Sequence, residues 1–175
     1  PTSIKMAENT MNKFVKTGAS EVLSWCPTCQ VQFSEIVLPT FEKATNTKPF
    51  DMTPFVLFLE KHLEQLVPLM TRPVNQRVAL HLHPGVKGVP EAAIRILSAV
   101  PGVELVDLDQ PAIGLMSNAF RALPDFQKEL HANELQAAET AGVDALAAVY
   151  HADHRELCAH ELDWSFRIIN FLELV

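Results

Sequence analysis

The chain is short of several things that would decide its class at once. No apolar run reaches the roughly 18–20 residues that cross a bilayer, and the opening PTSIKMAENTMNKF lacks the basic end and apolar stretch of a secretory signal. The reading is cytoplasmic, with no transmembrane segment. Lys and Arg form no cluster, and 14 of them stand against 21 Asp and Glu for a formal net charge of −7. Such a surface gains nothing by neutralising phosphates, so nucleic acid is excluded as an expected partner. Three cysteines are too few, and odd in number, for a disulfide scaffold. GxGxxG, the P-loop and GxSxG are all missing, which removes the common nucleotide fingerprints and the serine-hydrolase elbow. No short tandem repeat or low-complexity tract occurs.

What is present is ordinary globular material: 48% apolar and 20% charged residues over 175 positions, enough for one compact α/β domain or two small lobes. Residues 6–16 place Met6, Met11, Phe14 and Val15 on one helical face, and Gly18 suits the cap that follows. The run EVLSW, 21–25, predicts a buried strand leading into Cys26. Pro27 then fits the first turn of a helix continued by Val31, Phe33, Ile36 and Val37 and broken around Pro39. Residues 43–54 read as a polar, turn-rich connector, followed by a helix that Pro68 interrupts. RVALHLH, 77–83, predicts a strand carrying His81 and His83 on one face and stopped by Pro84 and Gly85. After it come a helix over 90–100 and a strand over 103–108, a pattern that implies a right-handed parallel crossover. Residues 111–120 read as a loop entering a helical region. The remainder predicts a helix over 124–142, a buried strand VDALAAVY, and a helical tail that covers the sheet. The fold class is therefore α/β: parallel-sheet, Rossmann-like layers with helices on both faces, in two pseudo-related units, 1–72 and 73–175.

The two units echo each other. Helix, glycine, strand and Cys26-Pro-Thr-Cys29 near the front match helix, Gly142, strand and His151-Ala-Asp-His154 near the end, pairing the two cysteines with the two histidines. Cysteines at that spacing before a helix can both reach one ion, because free N–H groups and the helix's partial positive charge favour thiolates. The same spacing serves redox dithiols and also occurs in inert buried pairs. His151 and His154 can share an ion as neutral imidazoles, and the carboxyl ends of parallel strands gather in one crevice, where His81 and His83 would join them. Each histidine taken singly is as readily a cap for a backbone carbonyl. Asp153 beside the pair suits orienting an imidazole, or simply a solvated helix start. Trp25, Tyr150 and Cys158 read first as packing residues, as do His62 and His131, with His160 ambiguous.

The residues GASEVLSWCPTCQVQF resemble the end of a cysteine-rich CCG domain, as found in heterodisulfide reductase and in the iron–sulfur proteins of glycolate and lactate oxidation. VALHLHPGVKGVPEAAIRILSAVPGVELVDL resembles the opening of the next such domain, and GVDALAAVYHADHRELC resembles its end. The likeness runs from about Met6 to Cys158. It implies that residues 1–72 are the C-terminal part of a first CCG-like unit plus a connector helix, and that 73–175 are a second unit. The chain opens on a helix rather than a strand, and the family's earlier cysteines do not occur, which reads as the later part of a longer protein.

The second unit departs from the family's ligands. His83-Pro84-Gly85 stands where a cysteine is expected, Ala112-Ile113-Gly114 replaces Cys-Cys-Gly, and His151 and His154 replace Cys-x-x-Cys. The resemblance implies an iron–sulfur cluster or zinc at Cys26 and Cys29, and the substituted imidazoles suit a divalent metal such as Zn or Fe at His81, His83, His151 and His154. The expected function is an electron-transfer module of an oxidoreductase complex, partnered by a flavin or iron–sulfur subunit. Self-association into a homo-oligomer is compatible with the pattern. Two alternatives stand beside it: a His-ligated metal enzyme, hydrolase or lyase, and a non-catalytic scaffold with a degenerate site.

Overall fold

The computed structural model describes residues 2–112 and 123–175, and the chain packs as two units, Pro1–Phe58 and Leu59–Val175. In the first, α1 (Thr2–Lys16) ends before Gly18, whose φ of 71° is the left-handed conformation that glycine adopts without strain. β1 (Glu21–Ser24) follows, then α2 (Pro27–Val31), a π-helical stretch (Gln32–Val37) and α3 (Leu38–Thr45). The helix therefore runs through Pro39 instead of breaking there. Pro39 cannot donate to a carbonyl one turn back and would crowd it; the preceding turn widens, with Leu38 N–H reaching Phe33 O, and the ring falls at the start of α3.

The connector expected over 43–54 also holds a strand. β2 (Asp51–Pro54) pairs parallel with β1, Glu21 opposite Asp51 and Ser24 opposite Pro54. Its signal is the alternation of Phe50 and Met52, which join the core, with Asp51 and Thr53, which do not. Thr53 Oγ1 donates to Glu21 Oε1 at 2.6 Å and Lys48 pairs with Asp51, while Pro54 sits at the strand's last position, where a missing donor costs least. Met11, Leu38 and Phe50 form this unit's core, and the Phe14 ring packs at 5.7 Å from Phe33 and 5.6 Å from Phe50. α4 (Phe55–Lys61) begins directly after β2.

The second unit continues through a short α5 (Leu63–Leu66) to β3 (Gln76–His81), α6 (Val89–Ser98), β4 (Val103–Val106), α7 (Pro124–Ala141), β5 (Ala145–Ala148), α8 (His151–Cys158) and β6 (Arg167–Asn170). Its sheet has the order β4-β3-β5-β6, every pair parallel. Ala79, Leu146, Ala148 and Ile168 pack with Leu135 and Ala138 of α7 and Leu157 of α8. The alternate residues Val78, Ala145, Ala147 and Ile169 are buried on the opposite face. α6 buries Val89, Ala92, Ala93, Ile96 and Leu97. Covering both faces explains why β5 is a continuous apolar run.

The tail is a correction: instead of one covering helix it gives α8, a 3-10 turn, the strand β6 and a second 3-10 turn over Phe171–Glu173. Phe166, Ile168 and Ile169 bury themselves beside β5, and β-branched side chains favour that pleated setting. The loop expected at 111–120, with Ile113 and Gly114, lies outside the described residues from position 113 onward.

Arg77 ties this unit together. Its Nη1 donates to Ala141 O and Gly142 O, both at 2.7 Å, its Nε donates to Glu104 at 3.2 Å, and its backbone N–H donates to Asp144 Oδ2 at 2.7 Å. A guanidinium thus satisfies the last carbonyls of α7 and meets the negative end of that helix. Arg77→Ala is expected to cost about 1–2 kcal/mol of unfolding free energy in urea. Arg95→Ala, removing a pair between the exposed Arg95 and the half-buried Glu60, is expected to leave the urea midpoint essentially unchanged.

Candidate functional site

From β3 the chain crosses to β4 on one side, then returns through α7 to β5 on the other, so the sheet reverses its order between β3 and β5. In open parallel sheets ligands bind at such a reversal, beyond the strands' carboxyl ends. β3 ends there on His81, and β5 runs there into Val149, Tyr150 and α8.

His81 is 1% exposed and shares the face of Ala79, toward α7. Its Nδ1 lies 2.9 and 2.8 Å from the two oxygens of Glu134, itself 2% exposed. His83 is not in the strand. The backbone leaves β3 after His81, and Gly85 N–H donates to His83 Nδ1 at 2.8 Å, a local turn that re-aims the ring. The neutral ring then carries its proton on Nε2, which points toward Asp153 Oδ2 at 3.9 Å, while the ring meets Tyr150 edge to face at 4.9 Å. Asp153, expected as a solvated helix start, is 1% exposed in the first turn of α8, where a carboxylate meets the helix's positive end. The crevice between His83 and Tyr150, closed by Leu82, Val89, Pro90 and Val149, leaves no room for a water-sized occupant.

Of the four histidines expected as ligands, His81 and His83 stand at this reversal, each with a carboxylate. His151 is exposed and His154 half-buried. Among the described residues no three His, Cys, Asp or Glu side chains come together as a group that could hold a metal ion.

Backbone geometry shifts the internal echo by one residue. In each unit the strand starts three residues after a left-handed glycine, Gly18 or Gly142, and the next helix starts three residues after the strand ends. Cys26 is the N-cap of α2 as Tyr150 is of α8; Gln30 N–H donates to Cys26 O at 2.9 Å as His154 N–H does to Tyr150 O at 3.0 Å. β2 and β6 pair with β1 and β5 in the same register, and each is followed at once by a phenylalanine, Phe55 or Phe171. Cys26 and Cys29 therefore correspond to Tyr150 and Asp153, whereas His151 and His154 correspond to Pro27 and Gln30. Matching by chemical type favours the histidines; counting from the glycine finds the true pair.

The cysteines themselves are exposed. Cys29 N–H donates to Cys26 Sγ at 3.3 Å, and Trp25 stacks on Phe55 at 4.9 Å just before them. The Cys29 thiol is raised above its ordinary pKa, first by its hydrogen bond with the Cys26 side chain, then by burial and the neighbouring sulfur's charge. Two such sulfurs resist carrying two negative charges unless a cation sits between them. Cys158 packs at the edge of the second unit's core, and burial, then Glu161 and Glu173, raise its pKa, as suits an inert thiol. His131 meets His160 edge to face at 5.0 Å, and burial, with His160 next, lowers its pKa.

No family model matches the chain, and no curated protein matches it.

His83 supplies a pH dependence. Burial, with His81 adding to it, pushes its pKa down to about 4, and Asp153 at 3.9 Å is beyond the hydrogen-bond distance that would hold a second proton. The ring is neutral in the fold at pH values where the unfolded chain protonates it. The stabilisation is full above the ordinary value near 6.5 and falls away as pH drops from there to about 4. Chemical unfolding near neutral pH and near pH 4.5 is expected to show His83→Asn losing less stability on acidification than the parent, by on the order of 2 kcal/mol. Identical losses would remove His83 from the account.

Proposed function

We propose that this chain is a thiolate-based metal-binding module of the CCG kind serving electron transfer in a cytoplasmic oxidoreductase complex. Cys26 and Cys29 supply two ligands to an iron–sulfur cluster or zinc, and the second unit is the structural half. The observation that carries this reading is the exposed pair at the turn from β1 into α2, with Cys29 N–H donating to Cys26 Sγ at 3.3 Å. Two thiolates are half of the four-ligand set that zinc or a cluster iron takes, so the donor chemistry fits and the other ligands come from beyond this pair. When bound, such a centre accepts and donates single electrons if it is iron–sulfur, or fixes structure if it is zinc. The chain's own part is to hold two sulfurs at one spacing, with the Cys29 N–H on Cys26 Sγ orienting the first. A partner protein carrying flavin or iron–sulfur meets the exposed sulfurs directly.

For the second unit a scaffold role has the better support. Tyr150 and Asp153 occupy the places of the two sulfurs, are buried, and close on His83. A hydrolase or lyase ion held by His81, His83, His151 and His154 gains no support from a set in which His151 is exposed and no three ligands gather among the described residues.

Titration of the reduced, full chain with Co²⁺ tests the proposal. A thiolate-to-cobalt charge-transfer band is expected, with affinity reduced roughly tenfold or more in Cys26→Ser and in Cys29→Ser and unchanged in His151→Ala/His154→Ala. A chain that binds no Co²⁺, or binds it equally without both cysteines, defeats the reading.

A further inference from the structure

A cavity of about 250 Å³ opens in the second unit at the carboxyl ends of β3 and β4. Its walls are apolar: Leu80 and Leu82 from the end of β3, Leu105 and Val106 from β4, and Ile94 from α6. Three polar side chains converge on this lining, Asp107, Gln110 and Glu134. Two of them are carboxylates, and among the described residues no Lys, Arg or His lines the cavity. Glu134 is the buried one, 2% exposed, and the bond from His81 Nδ1 fixes its orientation. A carboxylate offers about four acceptor positions, so one imidazole N–H leaves capacity for a further donor. A cavity of about 150 Å³ already accommodates benzene. The volume here therefore admits a slightly larger molecule.

We propose that this cavity is a binding site for a small organic cation, a compact apolar body of roughly ten heavy atoms carrying a primary ammonium or amidinium that pairs with Glu134. The apolar walls take the body. The fixed carboxylate takes the donor in a setting poor in competing water, where a charge-assisted hydrogen bond is stronger than at the surface. An anion of the same shape meets two carboxylates and is refused. A metal ion is a poor occupant, because two carboxylates among leucines leave most of its coordination unmet. Among the described residues, every residue lining the cavity belongs to the second unit.

Benzylamine, benzyl alcohol and benzoate, three probes of nearly one shape, are titrated into the full chain and followed by backbone amide NMR shifts. Benzylamine is expected to bind with Kd of about 0.1–1 mM, shifting the amides of Leu82, Leu105 and Asp107, with benzoate at least roughly tenfold weaker. Ile94→Trp, which fills the cavity from a partly exposed wall position and leaves Glu134 itself unaltered, is expected to abolish binding. Glu134→Gln is expected to bring benzylamine and benzyl alcohol to equal affinity; should that variant fail to fold, Ile94→Trp decides alone. Benzoate binding as tightly as benzylamine, shifts confined to residues away from the cavity, or undiminished binding by Ile94→Trp would each overturn the assignment.

Discussion

The second unit is organised around the need to accommodate two carboxylates that its packing has removed from water. Glu134 on α7 and Asp153 on α8 are both about as buried as the core leucines around them. An ion left unpaired in such surroundings costs several kcal/mol, more than any one apolar contact nearby contributes. At the carboxyl end of β3, His81 bonds Glu134, and the Gly85 turn swings His83 to within 3.9 Å of Asp153. A buried pair such as His81–Glu134 adds little net stability, but it penalises every arrangement in which α7 shifts along the sheet. It acts as a register mark. The apolar residues of α7 and α8 supply the attraction, and the His81–Glu134 bond fixes where α7 stops.

The same backbone unit serves two opposite ends in this chain. Left-handed glycine, short parallel strand, two-residue turn and helix recur with equal spacing. In one copy the N-cap and the third helical position are exposed sulfurs; in the other they are a buried phenol and a buried carboxylate. A thiol pair facing solvent is available to an ion or a partner. A phenol and carboxylate folded against an imidazole are committed to their own interior. The closed crevice beside His83 follows from that commitment, since Tyr150 fills with its ring the space that a smaller cysteine would leave open.

Much of this fold is legible in the amino-acid order, and what is not has physical causes. Strong periodicity identifies α1 and α6, and Pro27 with Gly18 and Gly142 marks helix boundaries, because φ preferences and missing donors are local properties. β2 is hidden by proline and polar residues, since a short parallel strand is defined by its neighbour and not by its own composition. β6 reads as helix because Phe166, Ile168 and Ile169 are apolar enough for either state, and only pairing with β5 decides. Glu134 is easily passed over inside α7. It lies on the Leu130, Glu134, Ala138 stripe, an inward position where an acid signals a buried partner, and that partner, His81, sits 53 residues earlier.

Strand order explains why these features fall together. Placing β3 between β4 and β5 makes its carboxyl end the one point reached by both neighbouring connections, so a single dipeptide step from His81 serves α7 on one side and α8 on the other. Glu134 stands between that point and the apolar cavity over β4: both oxygens of its carboxylate meet His81 Nδ1, and the residue also lines the cavity wall. The acid is thus oriented before any ligand arrives, and the ordering cost that a flexible surface glutamate would incur on binding has been met by folding. A carboxylate fixed in this way discriminates by charge and direction more than by strength. That is the behaviour expected of a selective site built from a residue whose first task is to hold the fold in register.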